Sequence, residues 1–285
     1  MTENSLLLGA VAYDPKVVTI WDGFQTYFDP RGLRFDYVLY TNYERQVEAL
    51  VAGDIHVGWN SPLAWLQTER IAGKLGLRAE AICMRDTDRD LVSTIVALEN
   101  SPVRSVSDLK GRRVAVGAKD SPQATLIPLY HISQQGLEPN QDFEVLPFDQ
   151  LVGKHGDHIG GERDAVRALI RGDCDAACLI DGNLLLFAQE GTLPAGSVRT
   201  IAATPLYDHC NFTVITGRMS DSVKLFRELL LRMSYEDPEV RRLLDLEGLK
   251  RWLPGRTDGY KLLSNAVDHF GYLDEFVSAV AARCT

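Results

Sequence analysis

The chain has 285 residues, 45% of them hydrophobic and 24% charged, enough to bury one large core or two. Its formal net charge of -9 excludes a surface built to hold nucleic acid or an anionic membrane. An anionic ligand therefore needs a locally positive pocket.

Strand and helix patterns alternate from the N-terminus. Leu6–Ala12 predicts a strand, Val17–Phe28 a helix, Arg34–Tyr40 a strand, Tyr43–Ala52 a helix and Asp54–Gly58 a short strand. Ser61 and Pro62 start a helix that runs towards Ala72, and Arg78–Met84 and Leu91–Leu98 are β-rich. The same grammar repeats with strand Arg113–Gly117, helix Gln123–Gln135, strand Phe143–Pro147, helix Arg163–Gly172 and strands Ala176–Ile180 and Val198–Ala203. After about Thr204 one strand, Phe212–Thr216, is followed by helices over Asp221–Met233, Pro238–Leu246 and the segment from Tyr260 onward. This predicts an α/β fold of two lobes. Residues 1–90 with 205–285 form one lobe and 95–200 the other, joined by strands near 91–98 and 210–216.

No apolar run approaches a membrane span, and the start MTENSLLLGAVAYDP carries no basic region. The five cysteines, at 83, 174, 178, 210 and 284, are an odd set without a disulfide-scaffold spacing. Both features predict a cytoplasmic chain, with a trimmed exported protein as the alternative. A second copy of the chain is a candidate partner; nucleic acid and membrane insertion are not.

The stretch Ser105–Pro128, SVSDLKGRRVAVGAKDSPQATLIP, carries most of the functional signal. A buried strand ends at Gly117, Asp120-Ser121 supply capping oxygens, and Pro122 stands where a first helical turn begins. Such an edge points backbone N–H groups and the positive helix end at one spot, which suits an anion. An ordinary capped crossover helix uses the same residues. The segment Val152–Glu162, VGKHGDHIGGE, concentrates His155, Asp157, His158 and Glu162 among four glycines. It reads either as a mobile polar loop or lid, or as a ligand-contacting segment with acid/base histidines. Its spacing fits no structural zinc site, so no metal is expected, and no cofactor is identified. Tyr40 ends the second strand at its carboxyl edge, where open α/β sheets place ligand contacts.

Four stretches, GAVAYDP (9–15), GDIHVGWNSPLAW (53–65), DLKGRRVAVGAKDSPQATLIP (108–128) and RDAVRALIRGDCDAACLID (163–181), together resemble the type II periplasmic-binding-protein fold. Within it they are most similar to the phosphonate/phosphite-binding proteins of ABC transporters. The resemblance implies two lobes that close hinge-wise on a small anionic or zwitterionic ligand. It also implies ligand roles for Tyr13, for Asn60, Ser61 and Trp65 where the family has Gly-Pro and an aromatic, and for Asp181, which in the family receives an amine or a ligand proton.

Two departures matter. The family's hydroxyl-rich Asp-Ser-Thr-Ser-Gly is here Asp120-Ser121-Pro122-Gln123-Ala124, which leaves Ser121 and Gln123 as donors and removes one N–H at Pro122. The family's Ser-His-Asp-Ala is here Glu162-Arg163-Asp164-Ala165, so Arg163 offers a guanidinium fork where a histidine usually stands. The expected function is capture of a phosphonate, phosphate ester or carboxylate in the interlobe cleft. The alternative is an enzyme on the same scaffold, a lyase such as a decarboxylase or dehydratase, using His155 and His158.

Overall fold

The computed structural model describes residues 5–156 and 160–284. The first stretch of chain supplies β1 (Ser5–Val11), α1 (Lys16–Phe28), β2 (Arg34–Tyr40), α2 (Tyr43–Ala52), β3 (Val57–Asn60), α3 (Pro62–Lys74) and β4 (Ala79–Arg85). Then follow β5 (Ser93–Leu98), β6 (Arg113–Val116), α4 (Ile127–Ser133), β7 (Glu144–Pro147), α5 (Gly160–Arg171), β8 (Ala176–Ile180), α6 (Asp181–Gln189) and β9 (Val198–Ala203). The return supplies β10 (Asn211–Ile215), α7 (Asp221–Arg232), α8 (Pro238–Glu247), β11 (Trp252–Pro254), α9 (Lys261–His269) and α10 (Asp274–Cys284).

These elements form two compact units. The first takes the chain up to Arg89, Asp208–Lys261 and the part from Gly271 on; the second takes Asp90–Tyr207 and Leu262–Phe270. The chain passes between them at Arg89–Asp90 and Tyr207–Asp208, beside a backbone bridge between Leu91 and Tyr207. α9 sends Leu262–Phe270 into the second unit, where Phe270 packs on that unit's core.

The first unit's sheet has the order β11-β4-β10-β3-β1-β2. β1 runs parallel to β2 and β3, while β10 returns antiparallel between β3 and β4. Leu6, Leu8 and Ala10 of β1 alternate into a core with Trp21, Phe24 and Phe28 of α1, a period-2 strand meeting an i, i+3, i+4 helix face. Phe212 lies at the centre, its ring 4.5 Å from that of Trp59 and 5.0 Å from that of Phe226.

The second unit's sheet has the order β7-β6-β8-β5-β9 and is buried on both faces. Ala176 and Cys178 face one cluster and Ala177 and Leu179 the other, which is why β8 reads as a continuous apolar run.

The sequence reading missed α6 and β11, and two further elements form differently from their expectation. The predicted strand Asp54–Gly58 forms later, at Val57–Asn60, because Gly53 (φ 91°) ends α2 and the Asp54 N–H still bonds back to Ala49. The predicted helix Gln123–Gln135 begins as a π-helical turn, Pro122–Leu126, and becomes α-helical only from Ile127. Pro128 has no N–H to give the Ala124 carbonyl, which instead accepts from Gly117 N–H at 3.2 Å.

Of the five cysteines, Cys83, Cys174, Cys178 and Cys210 are buried and Cys284 is exposed. Burial pushes the Cys83 and Cys174 thiols up to about 12 and Cys178 higher still. A disulfide reagent such as Ellman's is therefore expected to titrate one thiol in the native protein and all five in guanidinium. Rapid reaction of a second native thiol would contradict the packing.

Candidate functional site

The turn after β6 is built from the inside outward. Gly117 is required by close approach, since a Cβ there would lie 2.7 Å from Ala124 Cβ. Ser121 caps the helical run, its Oγ accepting from Ala124 N–H at 3.2 Å, and keeps its own hydroxyl proton to donate. Gln123 is buried, and its Nε2 donates to the Gly156 carbonyl at 2.6 Å. Asp120 does not cap the helix. Its carboxylate turns to the neighbouring loop and accepts from the N–H groups of Gly153 and His155.

Other N–H groups expected to be open here meet protein acceptors. Lys119 donates to Asp149 Oδ1 at 2.8 Å and Ser121 to the Ala118 carbonyl at 2.8 Å.

Below this turn lies a polar pair that the sequence did not flag as functional. Ser93 Oγ donates to the Gln123 carbonyl at 2.5 Å, so the Tyr207 hydroxyl, 2.7 Å away, is the donor to Ser93. Burial pushes the Tyr207 phenol well above its ordinary value, which keeps that proton in place. A serine and a threonine opening the apolar strand STIVAL were the only local signal.

The remaining predicted residues of the second unit go elsewhere. Arg163 grips Glu190 with two bonds, 2.7 and 3.0 Å, over the Phe187 ring, and this hydrogen bonding holds the Glu190 carboxyl down to about 2. Asp181 is exposed at the start of α6 and accepts from Gly182 N–H. Its neighbour Glu162 is buried and accepts from Ile180 N–H and Asn183 Nδ2, closing the turn from β8 to α6. His155 is fully buried at φ 50°; His158 lies outside the described residues.

In the first unit, Ser61 caps α3 by accepting from Ala64 N–H, and Trp65 is buried against the Tyr260 ring. Asn60 sits in a buried hydrogen-bond chain. Its Oδ1 accepts from Gln46, and its Nδ2 donates to Thr68 and Thr213. Thr213 donates on to Asn211, Asn211 to Tyr260, and Tyr260 to the His209 carbonyl. Tyr13 is half-buried against the aromatic core with the Lys16 ammonium 5.8 Å from its ring. Tyr40 lines a cavity of about 590 Å³ with Arg45, Asp54 and Cys284, and burial with Asp54 nearby raises its phenol.

One group of side chains, Asp88, His209 and Cys210, brings metal-type ligand atoms within 4.8 Å of one another. Arg85 already holds both Asp88 oxygens, at 2.6 and 2.9 Å, so the charge a cation would supply is present as a guanidinium. The cluster is an ion-paired core.

The family model for the periplasmic substrate-binding protein of phosphonate ABC transporters matches residues 10–260. The chain belongs to this family. It is a solute-binding protein, and that description is periplasmic. The probable ABC transporter phosphite-binding protein PhnD1 of Prochlorococcus marinus (strain MIT 9301) is 22% identical over 240 residues, covering 79% of this chain and 75% of the relative.

Two solved structures share the fold of this binding protein. PhnD1 of the same organism in complex with methylphosphonate has a TM-score of 0.69 at 18% identity, covering 95% of this chain and 99% of that one. XAC2383 from Xanthomonas citri, bound to chloride ion, has a TM-score of 0.68 at 17% identity, covering 98% and 99%. Among the described residues no helix is long and apolar enough to cross a membrane.

Proposed function

We propose that this binding protein captures a small phosphonate- or phosphite-like oxyanion at the turn Gly117–Ala124, with Ser121 and Gln123 as its side-chain donors. The observation that carries the reading is Ser121 itself. Its oxygen accepts the capping N–H, and a hydroxyl in that role still has one proton to donate, here at the positive end of a continuous helical run from Pro122 to Ser133. The family match and the phosphite-binding name of the Prochlorococcus relative support the ligand class.

The donor set here is smaller than the family's run of hydroxyls. His155 has a packing role, since its ring is wholly buried; proton exchange with a substrate has no support from its placement.

Isothermal titration with methylphosphonate and with inorganic phosphite tests the reading. Ser121→Ala is expected to weaken binding by about 1–3 kcal/mol, the range for a hydrogen bond to a charged group. Equal affinities for the wild type and the variant would move the ligand elsewhere. The periplasmic description of the family gives no support to the cytoplasmic reading of the N-terminus, and fractionation of cells expressing the natural gene decides the compartment.

A further inference from the structure

The segment Leu151–Gly156 has an unusual backbone. Leu151 (φ 55°), Gly153 (φ 89°), His155 (φ 50°) and Gly156 (φ 76°) all lie in the left-handed region, which side chains other than glycine's rarely adopt. A path of this kind persists only where its surroundings hold it. Two side chains do so. Asp120, itself 3% exposed, accepts from the N–H groups of Gly153 and His155, and Gln123 Nε2 donates to the Gly156 carbonyl at 2.6 Å.

Gly156 rests directly on the proposed anion donors. A Cβ built on it would lie 2.3 Å from Ser121 Oγ and 2.7 Å from Gln123 Nε2. An oxyanion taking hydrogen bonds from both groups needs its oxygens about 2.7–3.0 Å from those same atoms. The main chain of Gly156 fills that space, and its carbonyl is already the acceptor for Gln123. The peptide and the ligand cannot occupy the turn together.

We propose that Leu151–Gly156 is an autoinhibitory strap, an internal competitor whose Gly156 carbonyl stands in for a ligand oxygen, and that an oxyanion binds by displacing it. This rests on the assignment of the oxyanion to Ser121 and Gln123. Displacement exchanges one neutral acceptor for a charged one at the Gln123 amide. It also releases the two left-handed non-glycine residues and exposes the Asp120 carboxylate to water. The strap thereby sets a threshold that weak acceptors do not pass, which gives the shortened donor set a means of selectivity.

Hydrogen exchange and titration test the strap together. In the wild type, saturation with methylphosphonate is expected to speed exchange of the Gly153 and His155 amides by about tenfold or more, since their acceptor is lost. Gly156→Ala, whose methyl cannot fit against Ser121, is expected to bind methylphosphonate about tenfold more tightly than the wild type. Asp120→Ala, which removes the strap's acceptor instead of adding bulk, is expected to shift affinity in the same direction.

Slower exchange of those amides on ligand addition would make the segment a lid and overturn the proposal. Wild-type or weaker affinity in both variants, with binding still weakened in Ser121→Ala, would overturn the strap and leave the anion site standing. Failure of the wild type and of both strap variants to bind methylphosphonate or phosphite would remove the anion site, and the strap with it.

Discussion

Replacing Phe212 by alanine is expected to destabilise the first unit by about 3–5 kcal/mol, the range for emptying a fully buried aromatic site. Phe212 is fully buried in β10, and its ring meets Trp21 at 6.2 Å, Trp59 at 4.5 Å, Phe226 at 5.0 Å and Trp252 at 5.2 Å. These partners come from α1, β3, α7 and β11, so no single element can relax to fill the space. The close packing of interiors makes such a void persist. The four tryptophans of the chain, at 21, 59, 65 and 252, all lie in the first unit, so their fluorescence follows its unfolding specifically. Urea titrations read by that fluorescence measure the loss. A loss below about 1 kcal/mol would mean that the cluster collapses around the gap.

The second large effect lies at Asp88. Its carboxylate, 2% exposed, receives two bonds from Arg85, while Arg85 also bonds the Glu247 carbonyl at 2.9 Å. Burial alone would raise the Asp88 pKa, but the Arg85 charge and hydrogen bonds, helped by His209, override it and hold the carboxyl down to about 2, below the ordinary 3.8. A depressed carboxyl stabilises the fold above its unfolded pKa, and that stability is lost as pH falls through the folded value. The contribution, about 2 kcal/mol, is thus present above about pH 4 and drains away towards pH 2. Asp88→Ala also takes both Asp88 bonds from the buried Arg85 guanidinium and leaves it only the Glu247 carbonyl and, at 3.4 Å, its carboxylate, so at pH 7 its expected cost is about 3–5 kcal/mol. Denaturation midpoints at pH 7, 4 and 3 check both parts. A variant that keeps the wild-type dependence between pH 4 and 3 would show that Asp88 does not titrate there.

Much of the architecture was legible in the sequence because its signals are local. Leu6, Leu8 and Ala10 alternate, Asn42 and Ser61 precede helices and accept from Arg45 and Ala64, and Gly53 ends α2 in a left-handed conformation. The cap at Ser121 with Pro122 behind it belongs to the same class. The π-turn that follows was hidden, although Pro128 was in view. Its effect depends on Gly117 arriving from the strand to claim the freed Ala124 carbonyl.

Site chemistry was legible as composition and opaque as partnership. Arg163 read as a cation for a ligand, but Glu190, 27 residues on, takes both of its bonds. Asn60 read as a polar contact beside a helix start; in the fold its amide is spent on Gln46, Thr68 and Thr213. Asp120 read as half of a cap, and the Gly153 and His155 amides claim it. Apart from Thr68, eight residues from Asn60, these partners lie 14 or more residues away, and no spacing rule reaches that far.

The sequence by itself determined the α/β class, the family, most helix starts and the place of the turn at Ser121, because periodicity and capping act within a few residues of the chain. The tertiary structure alone decided which polar groups remain for a ligand. A buried donor or acceptor is satisfied by whatever the fold brings beside it, so the pairings Ser93 with Gln123, Asp120 with the loop amides and Arg85 with Asp88 exist only once strands and loops have met.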